Sequence, residues 1–345
     1  RYDSFEMANG PAYNEYGSSL LGFRNDTPAS TSIVQPRFGF QLDATNLDMF
    51  SSDKIIAAEI RGGYGLFAGR VPNVWLASPF ANSGVVQYGS RTGRFAAGTP
   101  DCTTGAEITC FKAPETIYQD FPYSDYASTS PAQAIDPNYD TPSTWKLNLE
   151  LLLTTANGYD LKLAYNRDEA KDGVGFSDAS ASVEQVGKTG VVTYDSEGAY
   201  YITNGPGASS DSITLSLDKE FDNGVSVFAS YTGLDAENAW NGTSSQLSSN
   251  LEYNPRVDLM NVSVGKTPWA IENRFVAGLN YTANWFNNAP TSFSLFYKAY
   301  SGKRFSYGFD GLYDGYDDGN TLLYIPTVND SNVVYSGVTE GEVLQ

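Results

Sequence analysis

The segment TWKLNLELLLTTANGYDLKLAYN, residues 144–166, decides the fold class of this chain. Apolar and polar side chains alternate in its first half, and the alternation resumes after the pair Asn157-Gly158. A period of two indicates β-strands, and Asn-Gly between two such runs indicates a hairpin. The apolar face of this hairpin could be buried against a second sheet, as in a soluble sandwich. It could equally face lipid, as in a membrane barrel whose polar face lines a wet lumen.

The same alternation recurs in six other segments, so the sequence predicts eight strands in all. Each run carries its apolar residues at every second position, which places them on one face of a sheet. The six further segments are VQPRFGFQLDA (34–44), KIIAAEIRGGYGLFAG (54–69), SITLSLDKEF (212–221), VSVFASYTG (225–233), NRFVAGLNYTA (273–283) and TSFSLFYKA (291–299).

The connections between these strands alternate between short and long. A Greek-key sandwich has no reason to place every long loop at the same end, whereas an outer-membrane barrel has short periplasmic turns and long extracellular loops. The sequence therefore predicts an all-β, antiparallel transmembrane β-barrel with long extracellular loops. The short connections are Thr45–Asp53, Thr154–Gly158, Asp222–Gly224 and Asn284–Pro290; the long ones are Ala68–Ser143, Asp168–Asp211 and Asp235–Ile271.

In a barrel, the alternation assigns each strand residue to lipid or to the lumen. A slip of one residue would turn the charged side chains toward lipid, at about 2–4 kcal/mol for each Lys or Arg at the midplane. We predict that Tyr and Trp at strand ends form interfacial girdles, namely Trp145, Trp285, Tyr231, Tyr281 and Tyr297. The residues predicted to face lipid are Leu147, Leu149, Leu151, Leu161, Leu163, Leu215, Val227, Leu279 and Leu295; those predicted to face inward are Lys146, Glu150, Lys162, Ser216, Ser226 and Asn280.

Composition narrows the function. The 345 residues carry a formal net charge of -19, which argues against nucleic acid as a partner because phosphate binding needs a cationic surface. The chain has no histidine, so the commonest general base and the commonest transition-metal ligand are missing. We therefore expect no enzymatic activity and no catalytic residue.

Two groups of residues are candidates for covalent or metal chemistry in the loops. Cys102 and Cys110 lie close together around TTGAE, and we predict a loop disulfide, which points to an oxidising compartment; a metal site is the alternative. The second group is a set of carboxylates between glycines, the composition of a calcium loop, for which a solvated acidic turn is the alternative. Its members are Asp310, Asp314, Asp317 and Asp318, and no other cofactor is predicted.

The second long loop is rich in carboxylates, and we predict that they solvate a surface hairpin over residues 188–204. Alternatively they repel anionic ligands, or bridge divalent ions to lipopolysaccharide. The carboxylates concerned are Asp172, Asp178, Glu184, Asp195 and Glu197.

Several segments together resemble the barrel half of Oar-like TonB-dependent receptors, which carry a carboxypeptidase-regulatory-like domain at the N-terminus. The similarity runs from about Ser32 to about Val334, and the most specific stretches are RGGYGLF.GR.P..W (61–75), NGTSSQ (241–246) and SGKRFSY (301–307). The resemblance implies a barrel of roughly 22 strands around a folded plug. Residues 1–345 would then be part of that barrel, with the plug, the TonB box, the regulatory-like domain and the last strands outside them.

The resemblance also implies a function and partners. Extracellular loops would capture a ligand, and plug rearrangement driven through TonB would move it through the barrel in the cell outer membrane. The implied partners are outer-membrane lipid and lipopolysaccharide, the TonB complex and a surface lipoprotein. Two alternatives remain, a surface adhesin or structural assembly protein derived from a barrel, and a soluble carbohydrate-binding sandwich.

Eight strands of a larger barrel would leave two open edges. We therefore predict that Ser32–Ala44 and Thr291–Ala299 lie at the two ends of the sheet. A small complete barrel would instead pair these two segments with each other.

Overall fold

The computed structural model describes residues 1–85, 131–186, 192–240, 242–286, 289–308, 322–331 and 333–334. Within these residues the chain is mainly antiparallel β-structure with three short helices. The helices are α1 Glu15–Leu21, α2 Asn73–Ala81 and α3 Leu247–Glu252. The strands are β1 Tyr2–Glu6, β2 Ser30–Val34, β3 Arg37–Asp43, β4 Ile55–Ala68, β5 Ala134–Ile135, β6 Ser143–Thr155, β7 Tyr159–Asp178, β8 Ser182–Val186, β9 Val192–Asp195, β10 Tyr200–Gly205, β11 Ser209–Glu220, β12 Val225–Asn238, β13 Gly265–Lys266, β14 Asn273–Phe286 and β15 Ala289–Tyr300.

The eight predicted strands are all present and form one continuous antiparallel sheet. Their order is β15-β14-β12-β11-β7-β6-β4-β3, so each strand pairs with its nearest predicted neighbours along the chain. Among the residues that the structure describes, no ladder joins β3 to β15. The prediction that these two segments lie at opposite ends of an open sheet is confirmed for β3 and β15. The first part of the predicted segment Ser32–Ala44 differs, because Ser32–Val34 belongs to β2, which pairs with β1 in a separate sheet.

One face of this sheet is apolar and uncovered. Cross-strand partners share a face, and the register places Leu151 opposite Leu163 and Leu163 opposite Leu215. Likewise Val227 lies opposite Leu279, which lies opposite Leu295. Leucines on this face are exposed by as much as 69% at Leu295, so they do not form a closed protein core. All nine residues predicted to face lipid lie on this face.

The opposite face is mainly polar, as predicted, although Leu152, Phe228 and Phe296 also lie on it. Lys162 lies opposite Ser216, and Ser226 lies opposite Asn280. Gly65, Lys146 and Asp168 form a row in the same way, so charged and hydroxyl side chains line this face from strand to strand. We call this surface the polar wall.

Aromatic side chains cluster where the strands end. Tyr64 and Trp145 stack with ring centroids 5.0 Å apart near the long loops. At the short-turn end, Trp285 lies 5.4 Å from Phe293 and 6.4 Å from Tyr281. Both ends of the apolar face are thus bordered by aromatic rings, the arrangement that the girdle prediction requires.

The short turns and long loops lie at opposite ends of the sheet. Gly158 and Gly224 close two of the turns with φ values of +71° and +83°. At the other end, the described parts of the long loops and residues 1–36 fold into a separate layer, which we call the cap. Its main apolar core includes Ile135, Phe176 and Ile202, together with Leu247 and Leu251 of α3. Among the described residues, no helix is long and apolar enough to span a membrane.

One local prediction about the loops is wrong. Residues 188–204 do not form a hairpin, because β9 pairs with β8 while β10 pairs with β7 and β5. Apolar side chains of these strands, including Tyr194 and Ile202, are buried in the cap core. This burial stabilises the observed pairings instead of a hairpin between β9 and β10. Asp178 is correspondingly buried rather than solvated.

Candidate functional site: the polar wall and the cap

The polar wall is organised around Glu150 of β6. Its carboxylate lies 2.7 Å from Arg61 Nε of β4 and 2.7 Å from Lys162 Nζ of β7. A second cross-strand pair joins Lys146 and Asp168 at 3.0 Å. Because β4, β6 and β7 are neighbours, these ion pairs tie three strands together on one face. The wall is therefore a charged surface that suits contact with water or a polar occupant.

Amides and hydroxyls extend the wall toward β12. Asn148 donates to Asn166 at 2.7 Å, and Asn166 donates to Ser212 at 3.4 Å. Thr214 and Thr232 share a hydrogen bond of 3.0 Å. These side chains satisfy one another across the strands, so this part of the wall keeps its polar groups paired even where it is half-buried.

The cap is assembled from segments that are distant in sequence. Trp75 of α2 meets Phe176 of β7 edge to face at 5.2 Å, and Phe176 meets Trp240 in the same way at 5.4 Å. Trp75 Nε1 also donates to the carbonyl of Ser244 at 2.6 Å. The guanidinium carbon of Arg256 lies 3.7 Å from the centroid of the Trp240 ring. A ladder of three aromatic rings thus ends on a cation.

The N-terminal residues belong to the cap as well. Asn14 caps α1 by accepting from the amide of Gly17 at 2.9 Å, and its own side-chain amide donates to the carbonyl of Ser83 at 3.1 Å. Asn25 in turn accepts from the backbone amide of Asn14 at 2.8 Å. Asn14 and Asn25 are both buried, so these bonds hold residues 1–36 against the first long loop.

Burial and hydrogen bonding shift several pKa values in the cap. Burial lowers the pKa of Arg256 to about 10. It also raises the pKa of Tyr139, and it raises that of Tyr194 together with the hydrogen bond to Asp258. For Asp258, burial alone would raise the pKa, but hydrogen bonds from Tyr194, Asn261 and Met260 outweigh it, and the pKa is lowered.

The residues predicted to carry disulfide or metal chemistry lie outside the described residues. This holds for Cys102 and Cys110 and for Asp310, Asp314, Asp317 and Asp318, so these predictions stay predictions. Within the described parts of the chain, no group of three or more His, Cys, Asp or Glu side chains could hold a metal ion.

Sequence reasoning missed the cluster around Trp240 and Arg256. Trp240 directly precedes the stretch NGTSSQ, but neither residue belongs to a periodic pattern, and α3 separates the two in sequence. Aromatic residues are no more frequent in the long loops than in the rest of the chain, so composition gives no signal of a folded cap.

Comparison with known proteins comes from two directions. A family described as "Outer membrane beta barrel domain" matches residues 13–301. Among solved structures, the chain is similar to the outer membrane transporter YddB from Escherichia coli, with 10% sequence identity and a TM-score of 0.36. That match covers 76% of this chain and 27% of the transporter, so the chain spans about a quarter of the transporter's length. No curated protein sequence matches this chain.

Proposed function

Because this chain belongs to the outer membrane beta barrel domain family and is located in the outer membrane, we propose that it forms part of the barrel of a TonB-dependent receptor. In this proposal the cap captures a ligand at the cell surface, and the ligand then passes along the polar wall as a plug inside the barrel rearranges. No catalytic step is part of the proposal.

The observation that carries the proposal is the two-sided sheet. Its apolar face is exposed and bordered by aromatic rings, while its opposite face carries the Glu150 ion pairs and the Asn148–Asn166 hydrogen bond. A soluble sandwich would cover the apolar face with a second sheet, whereas a barrel in a bilayer leaves it to lipid and keeps the polar face wet. Outer-membrane lipid and lipopolysaccharide are therefore the partners proposed for the apolar face.

The unpaired edges support a barrel larger than these eight strands. In hydrocarbon every unsatisfied backbone group costs several kcal/mol, so β3 and β15 each need a strand partner. We propose that further strands of the same polypeptide supply these partners, and that the plug, the TonB box and the regulatory-like domain also lie elsewhere in it. Through the plug the protein would contact the TonB complex, and through the cap a surface lipoprotein.

Orientation follows from the loops. Long loops of outer-membrane barrels are extracellular and short turns periplasmic, so in this proposal the cap lies outside the cell. A cap with its own apolar core presents a rigid surface, and a rigid surface binds with a smaller loss of conformational entropy than mobile loops do.

Growth on supplied nutrients tests the proposal. Wild-type cells, cells lacking this protein and cells lacking TonB would be grown on a panel of peptides and glycans as sole carbon source. The proposal expects at least one nutrient on which both deletions abolish growth to the same extent. The adhesin would be favoured instead if no nutrient in the panel requires this protein for growth and the deletion strain has lost cell adhesion.

A further inference from the structure

Within the residues that the structure describes, three buried hydrogen-bond donors of the cap have no hydrogen-bond acceptor. In the described part of the chain, the buried side-chain nitrogen and oxygen atoms without a partner are Arg256 Nε, Trp240 Nε1, the Tyr139 hydroxyl and Glu59 Oε1. Glu59 belongs to β4, whereas the other three belong to the cap. Buried polar atoms are nearly always paired in folded proteins, so three unpaired donors in one layer call for an explanation.

Arg256 is the most unusual of the three. Its guanidinium stacks on Trp240, and within the described residues it makes no ion pair with a carboxylate. With its pKa near 10 it stays protonated at neutral pH. Among the described arginines, Arg256 differs from the others because it combines the absence of an ion pair with a buried Nε that has no hydrogen-bond partner. A half-buried charge without a counter-ion is costly and is normally retained for a purpose.

Trp240 and the segment of Tyr139 lie beside the same turn, and Arg256 is joined to this group by its stack on Trp240. Trp240 Nε1 faces Gly205, where a Cβ would lie only 3.1 Å from it. The adjacent Asn204 accepts from the amide of Asp140 at 2.7 Å, which holds the segment of Tyr139 against this turn. Tyr139 is only 5% exposed and lies in the apolar cluster against which Trp240 packs.

We propose that Arg256, Trp240 and Tyr139 form a recognition site for an oxyanion, the carboxylate or phosphate group of the ligand that the cap captures. Each of the three offers a proton, so the complementary group is one rich in acceptors. Trp240 covers one face of the guanidinium and leaves its in-plane N–H groups for a bidentate bond to carboxylate or phosphate. This site rests on the proposed capture function and gives the ligand its chemical class.

Tryptophan fluorescence of the purified native protein in detergent provides the binding test. The probes are inorganic phosphate and glucuronate, with chloride and glucose as controls at equal ionic strength. We expect phosphate or glucuronate to change the emission saturably, and the response to each of the two separates a phosphate site from a carboxylate site. If neither phosphate nor glucuronate changes the emission more than chloride and glucose do, the proposal is overturned.

Substitutions then assign the effect to Arg256. Arg256→Met keeps the length of the side chain and its contact with Trp240, and we expect it to weaken binding by about tenfold or more, the size of a hydrogen bond to a charged group. Arg256→Lys should bind at an intermediate level, because an ammonium keeps the charge but cannot form the two parallel hydrogen bonds of a guanidinium. The matched control is Arg24→Met: Arg24 lies 4.3 Å from the Tyr13 ring centroid but is paired with Asp26 at 2.6 Å, and its loss should leave binding unchanged. Binding by Arg256→Met equal to wild type would reject the site.

Two further readouts separate this site from a structural role and from the transport function. Without ligand, Arg256→Met should leave the cap at least as resistant to proteolysis as the wild type, since it removes an uncompensated charge; a purely structural arginine would make the cap weaker. Binding is measured without TonB. Failure to bind oxyanions, alongside growth that requires this protein and TonB, would reject the site alone, and oxyanion binding without such growth would reject transport alone.

Discussion

At the scale of single residues, Gly224 closes the turn between β11 and β12 with a φ of +83°, a region that L-residues with a side chain rarely adopt. A Cβ there would also collide with the carbonyl oxygen of Thr282, whose amide donates back to the Gly224 carbonyl at 2.9 Å. We expect Gly224→Ala to destabilise the sheet by about 1–2 kcal/mol in denaturant unfolding from detergent. Gly302→Ala is the control, because no atom lies within 4 Å of a Cβ at that position. Equal unfolding midpoints for the two variants would contradict this explanation.

Asp258 makes the cap sensitive to acid. It accepts hydrogen bonds from the hydroxyl of Tyr194 and from the amides of Met260 and Asn261, the latter two at 3.0 and 2.9 Å. Its pKa in the folded protein lies below the ordinary 3.8, so its stabilisation is present above pH 3.8 and is lost as the pH falls through the lower folded value. We expect hydrogen exchange of the amide of Val192, which donates to Val257, to accelerate below that pH after correction for intrinsic rates. Asp258→Asn should remove this acid dependence, and an unchanged profile in the variant would show that another group is responsible.

Residue-scale prediction from sequence was reliable in the sheet and unreliable in the cap, for a physical reason. Within strands, period two fixes the face of every side chain, so Leu215 and Lys162 could be assigned without coordinates. In the cap, the environment of a side chain depends on segments distant in sequence. Asp178 looked like one more surface carboxylate, yet it is buried and accepts from Ser180 and Ser196. Arg256 could not be singled out, because a sequence does not show whether an arginine lacks an ion-pair partner.

At the scale of elements, β11 offers a matched pair of neighbours on opposite faces. Leu215 is 52% exposed on the apolar face, and Ser216 lies on the polar wall opposite Lys162. We expect Leu215→Arg to cost about 2–4 kcal/mol, the penalty for a cation near the bilayer midplane, and Ser216→Arg to cost much less. The measurement is unfolding of the native protein in lipid vesicles. A larger loss for Ser216→Arg would mean that the two faces have been assigned the wrong way round.

The strands were predictable where they cross the sheet and not where they enter the cap. The sequence alternation predicted that β7 ends at about Asn166. The strand continues to Asp178, because β10 pairs with the C-terminal half of β7. The short strands β5 and β9 have little pattern of their own, and their apolar side chains enter the cap core; β8 is exposed along its length and is held by its pairing with β9. Local periodicity therefore identified the strands of the eight-stranded sheet, whereas tertiary contacts determined the strands of the cap.

At the scale of the whole molecule, the apolar face slants across the ladders. On β6 the face reaches Trp145 near the long loops. On β15 its loop-side limit is Ala299, which shares its ladder row with Leu151, further along β6 toward the short turns. A bilayer presents flat boundaries, so rows that cross the boundary obliquely require strands tilted against the membrane normal. Tilted strands with staggered pairing are the geometry that closes a sheet into a barrel.

The open edges give the last prediction. Among the described residues, β3 and β15 each have a neighbouring strand on one side only, and nearly all their side chains are exposed. In the native protein we expect the backbone amides of both edge strands to exchange as slowly as those of β6 and β7, because further strands of the polypeptide pair with them in the membrane. Residues 1–345 refolded alone in detergent should keep slow exchange in β6 and β7 and lose it in β3 and β15. Equal protection of the edges in both preparations would indicate that β3 and β15 pair with each other, and the chain would then be a small closed barrel of eight strands.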